Sequence, residues 1–250
     1  MIDSGISVIT PAYNCSKTIE DTYNSLLSQT YKLWEWIVVE DHSVDDSFAF
    51  IAKMVKGDSR VKLLRTKKNS GSAAARNVGL HNASGKYITF LDSDDFLDSN
   101  YLEEQLKFIK LNGPIVSSGY RRMTSKSVTE FIVPDLMSYR TILKGNPISC
   151  LTTMYDRDII GNVFFPENFK YCEDYIFWLN ILKKGYIVKG NKKILATYRI
   201  TGTSKSSNKF KLIKHQYLVY RKSQNINCFL SCYYTIKWAF YGLKKYKNVR

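Results

Sequence analysis

Apolar residues along this chain come in short runs that stop at polar edges. Ile6 to Thr10 reads ISVIT and is halted by Pro11, the pattern of a strand buried on both faces. The stretch SKTIEDTYNSLLSQT returns apolar side chains at helical spacing through Ile19, Tyr23, Leu26 and Leu27, with Ser16 placed to cap and Glu20 in the first turn. WEWIVVED then predicts a second strand ending on acids, DSFAFIAKMVK a second helix and VKLLRT a third strand. After Gly71, SAAARNVGLHNA predicts a helix closed by Gly85, KYITFLD a fourth strand, and LDSNYLEEQLKFIKL a helix with Asp98, Ser99 and Asn100 as caps. This alternation predicts an α/β fold with a mostly parallel sheet flanked by helices.

Ligands of such sheets sit beyond the carboxyl ends of the strands. That rule puts Thr10-Pro11-Ala12-Tyr13, Glu40-Asp41 and Asp92-Ser93-Asp94 along one edge. Gly113-Pro114 ends the regular half. From Ile115 to about Ile200 the pattern loosens, with strands expected at PIVSSGYRRM and SVTEFIVP, an apolar stretch at ISCLTTMY and a helix over EDYIFWLNILKKG. No repeat or low-complexity linker separates the halves, so they are expected to share a core.

The 250 residues, 44% hydrophobic and 24% charged, suit a globular chain. The net charge of +15 first suggests a nucleic-acid binder, but its distribution argues against one. No acid follows Asp174, and the residues beyond it carry 17 Lys or Arg, leaving the first 174 residues nearly neutral with 20 basic against 22 acidic groups. Five scattered cysteines without a CxxC pair suit a reducing cytosol rather than a disulfide framework or zinc site. MIDSGISVITPAYN lacks the basic start and long apolar run of a signal peptide.

The run YITFLDSDDFLDSN poses the chemical question, because clustered carboxylates raise one another's proton affinity unless a cation offsets them. In a strand Asp92 and Asp94 would share a face while Ser93 points away, giving two hard oxygen ligands for Mg²⁺ or Mn²⁺ with positions open for phosphates. Tyr13 can offer a ring to a base, Asp41 can accept the N3–H of a uracil, and Arg76 with its helix N-terminus can meet anionic groups. Taken alone, each of these reads first as a structural residue. His42, His81 and His215 form no constellation, and Cys172 reads as a packed thiol.

The blocks SVITPAYNCSKTIEDTYNSLLSQTYKLWEWIVVEDHSVDDS, GSAAARNVGLHNASGKYITFLDSDD and YCEDYIFWLNILKKG together resemble, in order and spacing, the family-2 glycosyltransferases. These are inverting enzymes of GT-A fold that use nucleotide-diphosphate sugars. The resemblance implies a nucleotide-sugar-binding half over 1–112 and an acceptor-binding half over 113–202. It implies that Pro11, Ala12 and Tyr13 shelve the uracil, Asp41 reads its edge, and Arg76, Asp92 and Ser93 lie along the nucleotide. Asp94, with Asp92, would hold the divalent metal on the diphosphate, and Asp174 would be the catalytic base. One departure is that the usual D-D-G-S stands as Glu40-Asp41-His42-Ser43, which leaves the local turn open.

From Gly202 onward lysines and aromatics interleave, so 203–250 is expected to be a basic helical extension. Ile226 to Leu243 is short for a membrane span and carries Lys237, which favours contact with an anionic membrane surface. The expectation is a UDP-sugar-dependent enzyme peripheral to the cytoplasmic membrane face, acting on an undecaprenyl-diphosphate-linked saccharide for surface polysaccharide such as O-antigen or capsule. Two other readings are a nucleotidyltransferase that makes sugar nucleotides and a non-catalytic basic module. TPAYN in place of a Gly-rich phosphate loop argues against the first, and the near-neutral first half against the second.

Overall fold

A computed structural model of the chain describes residues 5–169, 171–200 and 209–246. The first half alternates as expected: β1 (Ile6–Ala12), α1 (Ile19–Leu27), β2 (Trp34–Glu40), α2 (Ser47–Met54), β3 (Val61–Arg65), α3 (Ser72–Asn82), β4 (Tyr87–Phe90), β5 (Phe96–Leu97) and α4 (Tyr101–Asn112). The second half adds β6 (Ile115–Met123), β7 (Val128–Phe131), β8 (Leu136–Met137), α5 (Tyr139–Ile142), β9 (Thr153–Asp156), α6 (Arg157–Ile160), α7 (Glu173–Leu182) and β10 (Val188–Arg199). Two helices follow, α8 (Lys209–Leu218) and α9 (Cys228–Tyr246), joined through a π-helical turn at Val219–Ser223. The expected boundary at 202–203 lies outside the described residues.

One sheet of ten strands runs through both halves in the order β3-β2-β1-β4-β9-β6-β10-β5, with β7 on β6 and β8 on β10. The first four strands of that order are parallel throughout. β9 enters antiparallel to both β4 and β6, so the complete sheet is mixed. β10, which the sequence pattern did not announce, lies parallel to β6 with two register shifts.

Period-two alternation along the central strands feeds two cores. Ile9, Ile37, Val39 and Phe90 pack toward α3 and α7, whereas Ile6, Val8, Trp36 and Val38 pack toward α1, α2 and α4. The buried Trp36 indole N–H is satisfied by Thr10 Oγ1 at 2.7 Å. α3 can lie close on β1 because it presents Ala73, Ala75 and Gly79, and a Cβ at Gly79 would run into the Ile9 side chain. That close seating carries the N-terminal turn of α3 to the carboxyl edge of the sheet.

Candidate active site

The ends of β1 and β2 build a shelf. Asp41 N–H donates to the Ala12 carbonyl, the Ala12 side chain is fully buried, and Tyr13 beyond it is 45% exposed. Pro11 sits in register with Val39 and Ala12 with Glu40. The loops are laced together: Asn14 N–H donates to Ser43 Oγ at 2.9 Å, and Cys15 N–H to Ser47 Oγ at 2.8 Å. His42 has φ of 57°, so it adopts the left-handed turn for which the missing glycine is suited. Glu40 secures that turn by accepting from Ser43 N–H, while its other oxygen pairs with Arg65 at 2.9 Å.

Asp41 is buried and committed to the loop before α3. Its carboxylate accepts from Thr66 Oγ1 at 2.9 Å, from the Ser70 N–H, and from the Gly71 N–H at 2.6 Å. Gly71 has φ of 88°, a conformation few other residues adopt. Sequence reasoning had not seen this tie, whose signal was a lone glycine before an alanine-rich helix.

Arg76, one turn into α3, is the hub of the site. Its Nη2 donates to Asp92 Oδ1 at 2.6 Å, and its Nη1 lies 3.8 Å from Glu173 Oε1. Burial opposes the charge, yet Asp92, Cys150 and Glu173 more than offset it, so the guanidinium is held above its ordinary range. Ser72 Oγ also donates to Glu173, at 2.7 Å, fastening α7 to the start of α3. Glu173 thereby links two motifs far apart in the chain.

The acidic run is not a continuation of the strand. β4 ends at Phe90, and Asp92 opens a turn closed by Asp95 N–H on the Asp92 carbonyl at 3.1 Å. The expected pleat, with Ser93 pointing away, therefore does not place these acids; a turn does. The Ser93 carbonyl accepts from Thr18 Oγ1 at 2.8 Å. Burial and then the charge of Asp92 raise the Asp94 pKa, and Asp95, fully buried, is raised well above the carboxylate range by burial, Asp92 and Asp94. Asp98 is not a side-chain cap but grips Arg121 with both oxygens at 2.9 Å. Ser16 likewise gives its hydroxyl to Asp45 instead of capping α1.

Asp174 stands half-buried in the first turn of α7, which the chain enters through Cys172 in a left-handed conformation at φ 62°. Burial and then the charge of Glu173 push the Asp174 pKa up to about 6, against the Tyr175 N–H and Arg76, which pull it down. A carboxylate near 6 suits proton abstraction close to neutral pH. Burial, with Asp174 and Glu173, pushes the Cys172 thiol up to about 12, in keeping with a packed thiol. His215 on α8 packs its ring on Tyr171 at 4.4 Å.

Among the described residues no cluster of three or more His, Cys, Asp or Glu side chains is arranged to hold an ion alone. Two hard carboxylates with further ligands from a diphosphate and water remain a fitting donor set for Mg²⁺ or Mn²⁺. Asp92 is matched by Arg76 in a close ion pair, whereas Asp94 has only the more distant charge of Arg199 to offset it in part. The raised proton affinity of Asp94 marks a site where added positive charge is favourable.

Known proteins resemble this chain in sequence and fold. A profile described as Glycosyl transferase family 2 matches residues 7–171. The glycosyltransferase TuaG of Bacillus subtilis is 37% identical over 244 residues, covering 96% of each chain. WfgD of Escherichia coli, named UDP-Glc:alpha-D-GlcNAc-diphosphoundecaprenol beta-1,3-glucosyltransferase, is 37% identical over 255 residues, covering 99% of each chain. Among solved structures, S. aureus TarS 1-349 in complex with UDP-GlcNAc superposes with a TM-score of 0.75 at 20% identity, over 98% of this chain and 74% of that one. The Pyrobaculum calidifontis mannosyltransferase PcManGT, in complex with GDP-Man and Mn²⁺, gives 0.68 at 17% identity over 89% and 64%. The two structures share the fold.

Proposed function

The chain belongs to glycosyl transferase family 2, and from that premise we propose that it moves a hexose or N-acetylhexosamine, with inversion, from a UDP-sugar to a hydroxyl of an undecaprenyl-diphosphate-linked saccharide. The observation that carries this reading is Arg76, which joins the acidic turn at Asp92 to the acid pair at the head of α7. Donor and acceptor chemistry thereby share one cleft edge. Membership of a glycosyltransferase family favours sugar transfer over the nucleotidyltransferase and the non-catalytic module.

In this reading Tyr13 stacks on the uracil above the Pro11-Ala12 shelf, and Asp41 reads its edge while holding the Ser70-Gly71 turn in place. Arg76 and the N-terminal turn of α3 face the nucleotide's negative charge. Asp94, helped by Asp92 and flanked by Ser93, would hold the divalent cation, which supplies Lewis-acid neutralisation of the departing diphosphate. Asp174 takes the proton from the acceptor hydroxyl as its oxygen bonds to the anomeric carbon and the bond from that carbon to the UDP oxygen breaks. One displacement inverts the anomeric centre.

The named acceptor of WfgD supports a lipid-linked substrate; on this reading the chain serves a bacterial surface polysaccharide such as O-antigen or capsule at the inner membrane face. Residues 1–112 would hold the donor, 113–202 the acceptor, and 203–250 would meet an anionic membrane. No helix among the described residues is long and apolar enough to cross a membrane. The deciding experiment is a panel of nucleotide sugars with a diphospholipid-linked GlcNAc acceptor, with and without Mn²⁺. The reading expects Mn²⁺-dependent UDP release with an inverted product; release of pyrophosphate instead would overturn it.

A further inference from the structure

We propose that the outward face of α9 is a docking surface for an anionic bilayer, lying flat on it and turning the Asp174 edge toward the lipid. From the proposed function this takes only that the acceptor is anchored in lipid. The helix has its polarity reversed for a surface helix. Phe229, Tyr233, Ile236, Phe240 and Leu243 recur at alternating spacings of four and three along one stripe and are 45–85% exposed, whereas Ser231 and Thr235 face inward and are buried. Thr235 Oγ1 is satisfied by the Ser231 carbonyl at 2.7 Å, so the inward side needs nothing further. A contiguous apolar stripe of this size marks a surface that is covered in use.

The stripe is rigidly tied to the catalytic half. Tyr241 fills the notch at Gly145, where any Cβ would overlap its ring, and Tyr234 packs on Tyr220 with ring centroids 5.8 Å apart. The Tyr220 hydroxyl donates to the Leu143 carbonyl at 2.7 Å and stands 3.2 Å from that of Tyr175, the residue after Asp174. Whatever α9 rests on therefore sets the direction in which the head of α7 faces.

Charge decides the occupant. The four-three spacing would also fit a second copy of the same helix, but from residue 201 on the sequence carries 11 Lys or Arg and no Asp or Glu. Exposed Lys237 borders the stripe with its Nζ 5.6 Å from the Tyr233 ring, and Lys214, Arg221 and Lys222 are exposed just before the helix. Two such faces repel each other, while anionic headgroups neutralise them and the acyl boundary receives the aromatics.

The test uses full-length protein floated with vesicles of phosphatidylglycerol mixed with phosphatidylcholine, and with phosphatidylcholine alone. We expect binding to the mixed vesicles, weakened by salt, and lost about tenfold or more in the exposed double variant Ile236→Glu/Phe240→Glu. That variant should retain Mn²⁺-dependent hydrolysis of the UDP-sugar, which separates this inference from the proposed activity. Vesicle binding equal to wild type in the variant would overturn it. So would a wild-type dimer in sedimentation that the variant converts to monomer, since the stripe would then cover a second copy.

Discussion

Arg76 holds Asp92 and Glu173 with the two ends of one guanidinium, Nη2 at 2.6 Å from the first and Nη1 at 3.8 Å from the second. The cation is buried, so its partners are not interchangeable with solvent. Arg76→Met removes the compensation from two acids at once and should cost about 3 kcal/mol in urea unfolding. UDP binding should weaken with it. Arg76→Lys keeps the charge but not the fork, so it should recover part of the stability and little of the activity.

Asp94 separates activity from stability. Its folded-state pKa lies above that of the unfolded chain, so the folded state binds the proton more tightly. The resulting stability is present below the unfolded pKa and is lost as pH rises through the folded one. Asp94→Asn should therefore be at least as stable as wild type at pH 7 in the absence of metal. Transfer should nonetheless fall about a hundredfold or more, and the rise in melting temperature on adding Mn²⁺ with UDP should disappear.

Asp174, with its pKa pushed up to about 6, should give the transfer rate an acid limb near that pH, because only the carboxylate accepts a proton. Its raised value also means that the charged form burdens the fold above pH 6. Asp174→Asn should bind donor normally and unfold at a higher temperature than wild type at pH 8. Its transfer should drop by about two to four orders of magnitude.

Glu35 tests the opposite sign. Burial works against its charge, but Lys62 at 2.7 Å, Ser7 and Ser84 overcome this and bring the pKa down from 4.5 to about 2. Its stabilisation is complete above pH 4.5 and is lost as pH falls toward 2. Because Lys62 is nearly half exposed and solvent screens the pair, Glu35→Gln should cost about 1–2 kcal/mol at neutral pH and flatten the acid-denaturation curve across that window.

The β-α alternation up to Asn112 was legible because β1, β2 and β4 are buried on both faces, β3 at the sheet edge keeps a short apolar run, and α1 and α4 each show one apolar face. β10 was hidden: Lys192 and Lys193 interrupt its apolar pattern, and two register shifts against β6 break its period. The acids at 92 and 94 stood out in the sequence as a carboxylate pair after a strand, whereas Asp174 was singled out only by the family resemblance. Their arrangement could not be read there, because Glu173 meets Ser72 and Arg76 only through tertiary packing and the acidic run sits on a turn. The lost glycine at position 42 left the turn open in the sequence, and the structure closes it with a histidine in the same backbone basin.

The notch at Gly145 has a consequence for anyone recombining parts of these enzymes. Because Tyr241 seats where a side chain would be, the last helix and the short helix before Gly145 form a lock and key that must be exchanged as a pair. A chimera that imports the extension without a glycine at that place would carry it unmoored, its apolar stripe no longer held in a fixed direction relative to the catalytic half.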